Sequence, residues 1–206
     1  FLIKADLLNE EEVLSLIPRA SELVDSKINL LVNNASIFEY DNFENATVES
    51  WNRHINSNLK APFFLSQFFS KQVPDASINA RGEYVANANI VNIIDQRVKK
   101  PTPEFITYSL AKMALMSLTI TSSQSLSPNV RVNAIGPGPT LKGKRQSDEH
   151  YNAQRKSTIL GRGSSTSEIS NTIRYFIESP SVTGQIICVD GGQHLAWKTE
   201  DVLGIE

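Results

Sequence analysis

The amino-acid sequence predicts an α/β fold in which a doubly wound parallel sheet carries helices on both faces. Five short apolar runs of strand length alternate with helical patterns along the 206 residues, as in folds built from β-α-β units. The runs are almost continuously apolar, as expected for strands that are buried on both faces. Each run ends in an acid, an amide or a glycine turn. These polar ends should meet at the carboxyl edge of the sheet, where such folds bind ligands.

The first two strands are predicted near the start of the chain. Residues 1–7 are interpreted as a short buried strand that ends at Asp6. A helix should follow, because Asn9 can act as its N-cap and three glutamates occupy its first turn, where acids complement the helix dipole. Residues 28–32 form the next apolar run, which leads into a turn at 33–36.

A long helix is predicted next, from about Thr47 to Phe68. Asn58 lies inside it. Pro62 should distort it locally, because proline lacks the backbone N–H that a helix interior requires. Residues 74–88 are polar and contain glycine, and we interpret them as a surface loop.

The central part of the chain contains the third apolar run, at 90–94, which stops at Asp95. Residues 96–105 are basic and rich in proline, so we interpret them as a loop, with its cations, including Arg97, forming a solvated face. A long apolar helix then starts around Tyr108.

The last third of the chain supplies two more strands, at 130–135 and 185–189. The first of these runs into a glycine- and proline-rich turn at 136–140. Residues 141–164 are mostly polar and are interpreted as a loop or lid over the substrate site. A helix at 166–177 precedes the final strand, with Ser or Thr available as its N-cap and a glutamate in capping-box position.

Composition indicates one globular domain over residues 1–206, with 40% hydrophobic and 20% charged residues. A net charge of only −2 argues against nucleic acid or an anionic membrane as a partner. The single cysteine excludes an internal disulfide and, together with the absence of an 18-residue apolar run, favours a cytoplasmic protein. The three histidines are too scattered for a metal site; His194 is expected to make a local hydrogen bond.

The strongest candidate for chemistry is the pair Tyr108 and Lys112, four residues apart on the predicted apolar helix. That spacing puts both side chains on one helix face, one turn apart. A nearby ammonium group should favour phenolate and lower the tyrosine pKa from its ordinary value of about 10, which would make Tyr108 a proton donor near neutral pH.

These motifs occur in an order that resembles the short-chain dehydrogenase/reductase family across essentially the whole chain. The resemblance rests on Asp6 after a strand, Asn33-Asn34-Ala35-Ser36 after the next, Asn58 in the following helix, Tyr108 with Lys112, the turn Pro137-Gly138, and Asp190-Gly191-Gly192. Each motif alone is compatible with an ordinary turn or strand end, whereas their joint order carries the resemblance. It implies a Rossmann-like fold, a nicotinamide cofactor and a homotetramer.

The resemblance also implies roles for individual residues. Asp6 would touch the adenine ring, Asn58 would hold a water that feeds protons towards Lys112, and Lys112 would bind the nicotinamide ribose. The residues it assigns to the cofactor are Asp6, Asn34, Ala35, Ser36, Tyr108, Lys112, Pro137, Gly138 and Thr140.

The sequence departs from the family pattern in two ways. The glycine-rich fingerprint that binds the pyrophosphate is absent, together with the β-α-β unit that contains it. We therefore expect the natural chain to begin earlier; the alternative is a fragment that binds dinucleotide abnormally. Secondly, Asp95 stands thirteen residues before Tyr108, where the family usually has serine.

Asp95, the Asn-Asn-Ala-Ser turn and Phe38 make the sequence similar to the pteridine reductase branch, which uses NADPH. In that branch the aspartate replaces the serine, and the pterin stacks between the nicotinamide and an aromatic ring at the position of Phe38. A pterin offers N–H donors that a carboxylate can accept, whereas a carbonyl substrate offers only an acceptor. The resemblance implies a substrate site of Ser36, Phe38, Asp95 and Tyr108, with Asn58 and Lys112 completing the catalytic set.

Two alternatives remain open at this point. One is an oxidoreductase of the same family that acts on another carbonyl or imine, and the other is a non-catalytic protein that kept the scaffold and lost dinucleotide binding. The residues that distinguish NADP from NAD are not among those in the sequence, and the natural pterin cannot be named from it.

Overall fold

The computed structural model describes residues 1–143 and 146–198. Its regular elements run in chain order as α1 (Glu10–Leu23), β1 (Leu30–Asn33), α2 (Val48–Ile55), a π-helical turn (Asn56–Lys60), α3 (Ala61–Gln72), β2 (Ser77–Ile78), β3 (Tyr84–Val85), β4 (Ala88–Ile93), a 3-10 turn (Gln96–Val98), α4 (Ile106–Ser125), β5 (Val130–Pro137), α5 (Asp148–Lys156), α6 (Thr166–Glu178), β6 (Ile186–Val189) and a 3-10 turn (Gln193–Leu195).

The central sheet has four parallel strands in the order β1-β4-β5-β6. Its register pairs Leu30 with Asn89, Ile90 with Val132, and Ala134 with Ile186. Because all four strands run the same way, their carboxyl ends lie along one edge. The predicted parallel α/β fold is therefore confirmed.

Helices cover both faces of this sheet, and the alternation of side chains along β4 shows how. Ile90 packs with residues of α1 and α3 in one buried cluster, whereas its neighbour Val91 packs with Phe176 of α6 in another. Successive strand residues point to opposite faces, so a continuous apolar run is needed to fill both layers.

Three helices begin at the residue types that the sequence indicated. The Asn9 side chain accepts the backbone N–H groups of Glu11 and Glu12 at the start of α1. Thr47 and Ser165 each form a reciprocal capping box at the start of α2 and α6. These caps satisfy backbone donors that have no partner inside the helix.

The prediction of a strand at residues 1–7 is wrong. Phe1 and Leu2 are at least nine-tenths exposed, and the segment has no regular secondary structure. An extended backbone becomes a strand only through a ladder with a neighbour, and no described strand pairs with this segment. The structure therefore has four parallel strands where five were expected.

The long helix predicted from Thr47 is interrupted, as expected near Pro62. In the π-helical turn the Ala61 N–H bonds to the Asn56 carbonyl, five residues back. Pro62 cannot donate the next i+4 hydrogen bond, which would go to the carbonyl of Asn58. A wider turn just before a proline relieves this conflict.

Two predicted loops contain regular structure. Residues 74–88 include the antiparallel pair β2 and β3, and Ala88 already belongs to β4. The predicted lid at 141–164 contains α5, which Ser147 caps; its residues 144 and 145 lie outside the described part of the chain. Sequence reasoning missed these elements because both are short and polar. Over the described ranges, no helix is long and apolar enough to cross a membrane.

Candidate active site

The centre of the site joins the end of β4 to the first turns of α4. The Tyr108 hydroxyl donates to Asp95 Oδ2 over 2.9 Å. The Lys112 ammonium donates to the Ile93 carbonyl over 2.9 Å, and its Nζ lies 5.7 Å from the centre of the Tyr108 ring. Tyr108 is 5% exposed and Lys112 is 2% exposed. The structure thus brings together the three residues that the sequence singled out for chemistry.

The pKa of Tyr108 differs from the sequence-based expectation. Burial raises it well above 10, and the charge and hydrogen bond of Asp95 raise it further, with Arg97 opposing them. The expected lowering by Lys112 is therefore wrong for this structure. The ammonium bonds to a backbone carbonyl and does not reach the phenol oxygen. Tyr108 is consequently a firmly protonated phenol at neutral pH.

Lys112 is an unusual lysine, because its amine is almost completely enclosed. Burial lowers its pKa from 10.5 to about 8, although the nearby Asp95 charge acts in the opposite direction. An amine with such a pKa exchanges protons near physiological pH. It can therefore replenish a proton that leaves a neighbouring group.

Arg97 is a site residue that the sequence analysis assigned to a solvated face. Its side chain is only 18% exposed, and its Nη1 lies 3.2 Å from Asp95 Oδ2. Its backbone N–H also donates to Asp95 Oδ1 over 2.8 Å. The interpretation as a solvated face is wrong because the chain turns directly after Asp95 and folds the guanidinium back over the carboxylate. A turn of only three residues is too short to leave a hydrophobic periodicity in the sequence, so it could not be predicted.

An aromatic pair forms one wall of the site. The rings of Phe38 and Phe105 stack with centroids 4.4 Å apart and an interplanar angle of 10°. The Phe38 ring also meets Tyr108 edge to face at 4.8 Å, and the Arg97 guanidinium lies 5.3 Å from its centre. Phe38 nevertheless remains 49% exposed. Part of a flat aromatic surface beside Tyr108 is thus available to a ring.

Asn58 holds the backbone of the loop that contains Phe38. Its side-chain oxygen accepts the Ile37 N–H over 2.9 Å, and its side-chain nitrogen donates to the Ile37 carbonyl over 2.8 Å. Asn58 is fully buried in the π-helical turn. Its side chain therefore acts on the loop, and the predicted water on the way to Lys112 remains a prediction.

The predicted cofactor residues lie in two groups at the same edge of the sheet. Asn33, Asn34 and Ala35 line a cavity of about 270 Å³, and Ile3, Ala5 and Leu7 form another part of its wall. Asp6 is not one of the lining residues; its carboxylate accepts the Leu8 N–H over 2.9 Å. Ser36 is exposed, and its hydroxyl donates to the Ile37 carbonyl over 3.3 Å.

The second group is the turn after β5. Gly138 donates its N–H to the Val189 carbonyl, and a Cβ added to it would lie only 2.6 Å from Cα of Asp190. Glycine is needed here because the two strand ends come into direct contact. Pro137 ends β5, and the Thr140 hydroxyl lies 2.6 Å from Ser164 Oγ.

A polar group buried beside the first cavity indicates that the cavity can hold a ligand. The side-chain oxygen of Asn33 has no hydrogen-bond partner among the described residues, although the side chain is buried. Its side-chain nitrogen donates to Asn92 over 2.8 Å. Buried polar atoms are normally bonded. The lining of the cavity is apolar apart from Asn33 and Asn34.

Within residues 1–143 and 146–198, no group of three His, Cys, Asp or Glu side chains that could hold a metal ion occurs. His194 Nδ1 lies 2.7 Å from Asp190 Oδ2, so the predicted local hydrogen bond is confirmed. His54 is completely buried beside Tyr108, with ring centroids 6.0 Å apart. No spacing in the sequence connects it with the site.

Comparison with known proteins identifies relatives over most of the chain. The family model described as enoyl-(acyl carrier protein) reductase matches residues 1–194. Pteridine reductase 1 of Leishmania tarentolae is 30% identical, over 88% of this chain and 70% of that protein. Dihydromonapterin reductase of Enterobacter sp. (strain 638) is 26% identical, over 94% of this chain and 77% of that protein.

Solved structures agree with these relatives. The structure of FolM alternative dihydrofolate reductase 1 from Brucella suis, in complex with NADP, superposes with a TM-score of 0.88 and 42% identity. The match covers 97% of this chain and 76% of that chain. The corresponding protein from Brucella canis, also complexed with NADP, gives a TM-score of 0.86 at 40% identity, over 98% of this chain and 76% of that chain.

Proposed function

Because this chain belongs to the short-chain dehydrogenase/reductase family of NAD(P)-dependent oxidoreductases, we propose that it reduces a C=N bond of a pterin ring with NADPH. The observation that carries the proposal is the direct bond from the Tyr108 hydroxyl to Asp95 Oδ2, beside the half-exposed ring of Phe38. A carboxylate at this point accepts N–H groups of a heterocycle, which a simple carbonyl substrate does not offer.

NADPH as cofactor is supported by the FolM structures, which are NADP complexes. In this chain Asn33, Asn34 and Ala35 line one side of a cavity of about 270 Å³, and Lys112 is proposed to bind the nicotinamide ribose. The bound cofactor would supply the hydride that adds to the ring carbon. Asp6, Ser36 and the turn from Pro137 to Thr140 are proposed to hold the rest of it.

The residues of the chain handle the proton. Tyr108 keeps its proton at neutral pH because burial and Asp95 raise its pKa, so it can deliver that proton to the ring nitrogen as hydride reaches the carbon. One hydride and one proton together convert C=N into CH–NH. Lys112, with a pKa lowered to about 8 by burial, bonds to the Ile93 carbonyl, so we propose that it returns a proton to Tyr108 through a bound water.

Asp95 and Phe38 are proposed to orient the substrate. The Asp95 carboxylate would exchange its bond from Tyr108 for one from a ring N–H or amino group, which leaves the phenol directed at the ring nitrogen. The exposed part of the Phe38 ring would stack on the pterin, since flat rings gain from offset stacking in addition to apolar burial. Asn58 supports Phe38 through Ile37. The backbone carbonyl of Asn58 receives no i+4 hydrogen bond, because Pro62 has no N–H. We propose that this carbonyl binds the water that passes protons towards Lys112.

The experiment that tests the function is a substrate comparison with the full-length enzyme. NADPH oxidation would be followed with dihydrobiopterin, dihydromonapterin and dihydrofolate, and with a panel of aldehydes, ketones and simple imines. We expect kcat/KM for at least one pterin to exceed every carbonyl value by tenfold or more. A carbonyl or another imine as the best substrate would replace the pterin assignment, and inactivity on all of them would favour a binding role.

We also propose that the enzyme is a homotetramer. Several apolar side chains on α3 and α4 remain more than two-fifths exposed in the single chain, namely Phe63, Leu110 and Ile120. A helix that is apolar on nearly every side is usually covered on every side. Sedimentation at micromolar concentration should give a species of four chains, and a monodisperse monomer would contradict this.

A further inference from the structure

A buried polar network lies beside the catalytic centre and takes no part in the chemistry described above. It consists of Asp41, His54 and Thr107, which are 2%, 0% and 2% exposed. His54 Nδ1 lies 2.7 Å from Thr107 Oγ1, and the Thr107 hydroxyl makes a short hydrogen bond to Asp41 Oδ2. These three residues come from a loop, α2 and α4, so the network joins three separate parts of the chain.

The hydrogen bonds allow one arrangement of protons at neutral pH. The backbone N–H of Glu39 donates to His54 Nε2 over 3.2 Å, so Nε2 must be unprotonated. The proton of a neutral imidazole is then on Nδ1 and is donated to Thr107. The Thr107 hydroxyl in turn donates to the Asp41 carboxylate. A protonated His54 could no longer accept the Glu39 N–H.

Asp41 also holds the beginning of α4. Its carbonyl accepts the Phe105 N–H over 2.7 Å, and its carboxylate accepts the Thr107 N–H over 3.2 Å. Phe105 is the N-cap of α4, has a left-handed φ of 58°, and makes no capping bond with its own side chain. Asp41 therefore supplies the missing cap from another segment, with a negative charge where the helix dipole favours it.

Two of these contacts are next to residues of the proposed substrate site. Glu39 follows Phe38 in the chain, and Thr107 precedes Tyr108. We propose that Asp41, His54 and Thr107 are positioning residues that hold the Phe38 ring at its distance from Tyr108, and that His54 does so only in its neutral form. The inference rests on the proposed function in that Phe38 and Tyr108 are taken to contact the pterin.

The surroundings of His54 keep it neutral at physiological pH. Burial lowers its pKa below the ordinary 6.5; Asp41 and Glu39 act in the opposite direction, and the neighbouring Arg53 adds to the lowering. From α4 the facing groups are the Thr107 hydroxyl and the uncharged Tyr108 ring. Because the folded-state pKa is depressed, the network is complete above it and loses the Glu39 link as the pH falls through it.

Two substitutions of His54 separate its two bonds. In His54→Gln the side-chain oxygen can take the position of Nε2 and accept the Glu39 N–H in any charge state of the network. In His54→Asn the amide can replace Nδ1 towards Thr107, but nothing reaches Glu39. Thr107→Val removes the hydroxyl with little change of shape, and Thr107→Ser restores it.

The test measures kcat and KM for the pterin between pH 4.5 and 8, with NADPH saturating. We expect the wild-type KM to rise severalfold on the acid side and His54→Gln to lose that rise. His54→Asn should raise KM about fivefold at pH 7 with kcat changed less than twofold, and Thr107→Ser should recover most of what Thr107→Val loses. Lower melting temperatures with KM and its acid limb unchanged would overturn the proposal, because the network would then be structural only.

Amide hydrogen exchange tests the same inference without substrate. We expect protection of the Glu39 amide to fall at least tenfold in His54→Asn and to be kept in His54→Gln. If wild-type protein reduces no pterin and Glu39 still responds in this way, the proposed function fails while the positioning role stands. If pterins are reduced but neither the Glu39 amide protection nor KM changes in His54→Asn and His54→Gln, the positioning role fails and the proposed function stands.

Discussion

The catalytic centre and the segment 141–164 are built in different ways, although both follow strands of the same sheet. Tyr108 and Lys112 are buried and bond to Asp95 and to the backbone of β4. In contrast, α5 has no buried residue. Arg155 ties this segment to the turn after β5 through its bond to the Pro139 carbonyl. Its bonds to the carbonyls of Gly163 and Ser164 lie within the segment.

The difference indicates which part of the molecule can move. Separating Tyr108 from Asp95 within the folded protein would leave buried polar groups without hydrogen-bond partners, which is costly. The described part of the segment 141–164 is held to the turn after β5 by Arg155 and Tyr151, which donate to the carbonyls of Pro139 and Thr140. Most of its described residues are nevertheless exposed or half-buried. We therefore propose that the chemistry takes place at the buried centre and that the more exposed segment controls access of the substrate. The following predictions test this division, in order of decreasing expected effect.

The largest effect should come from Asp95→Asn. The amide keeps the size of the side chain but loses the charge, and its NH₂ group is a donor that cannot accept a ring N–H of the pterin. We expect turnover of dihydropterins to fall about a hundredfold or more, with the melting temperature nearly unchanged. Steady-state kinetics and thermal unfolding check this.

Asp95→Ser serves as the companion variant, because serine is the usual residue of the family at this position. It should not restore pterin reduction, although it could admit simple carbonyls. If Asp95→Asn retains near-full activity on dihydropterins, the aspartate only ends a strand, and the similarity to pteridine reductases does not extend to the mechanism.

A smaller effect on kcat/KM is expected when the pH is raised through the pKa of Lys112. Its pKa is lowered to about 8 by burial, so the amine is charged below that pH and neutral above it. Tyr108 stays protonated throughout this range, because its own pKa lies well above 10. We expect kcat/KM for the pterin to decline above pH about 8, since a neutral amine cannot return a proton to the phenol.

The control for this pH effect is Lys112→Arg, whose guanidinium stays charged. The kcat/KM of that variant should show no decline above pH about 8, even if its absolute rate is low, because the guanidinium does not titrate in this range. A decline that persists unchanged in Lys112→Arg would have to be assigned to another group.

The next effect concerns the aromatic wall. Phe38→Ala should weaken pterin binding by about 1 kcal/mol or more, from lost burial and ring contact, which is roughly fivefold in Kd. NADPH affinity should hardly change. Phe43→Ala is a matched control, because Phe43 is 90% exposed nearby in the chain. Fluorescence titration measures both affinities, and equal pterin affinity in the two variants would leave Phe38 only a structural role.

The smallest effect is expected for the segment 141–164. Chymotrypsin should cleave it a few times more slowly once NADPH and a pterin are bound, if the segment closes over them. Arg155→Gln should speed cleavage in the free protein, whereas Lys156→Gln, at the adjacent position, should not. Identical cleavage rates with and without ligands would contradict the role as a lid.

Some site residues were found from sequence because local rules are enough to locate them. The i, i+4 spacing of Tyr108 and Lys112 guarantees a shared helix face, and an acid directly after an apolar run such as 90–94 must stand at the carboxyl edge of a parallel sheet. Helix caps such as Asn9 and Ser165 follow from the same kind of local chemistry.

Other features depended on contacts that no local rule contains. Arg97 was misassigned because only the packing of Phe38 and Phe105 gives its guanidinium an aromatic surface. The direction of the Tyr108 pKa was wrong for a similar reason, since burial outweighs a cation whose bond goes to a backbone carbonyl.

The sequence by itself determined the order of strands and helices, the edge of the sheet that carries the site, and the residue types available there, because hydrophobic periodicity and capping act over a few neighbouring residues. Only the tertiary structure decided that residues 1–7 form no strand and that Asp41, His54 and Thr107 meet beside Tyr108. Strand pairing and buried networks arise between segments that are distant in the chain, and their energies depend on burial, which a linear pattern does not specify.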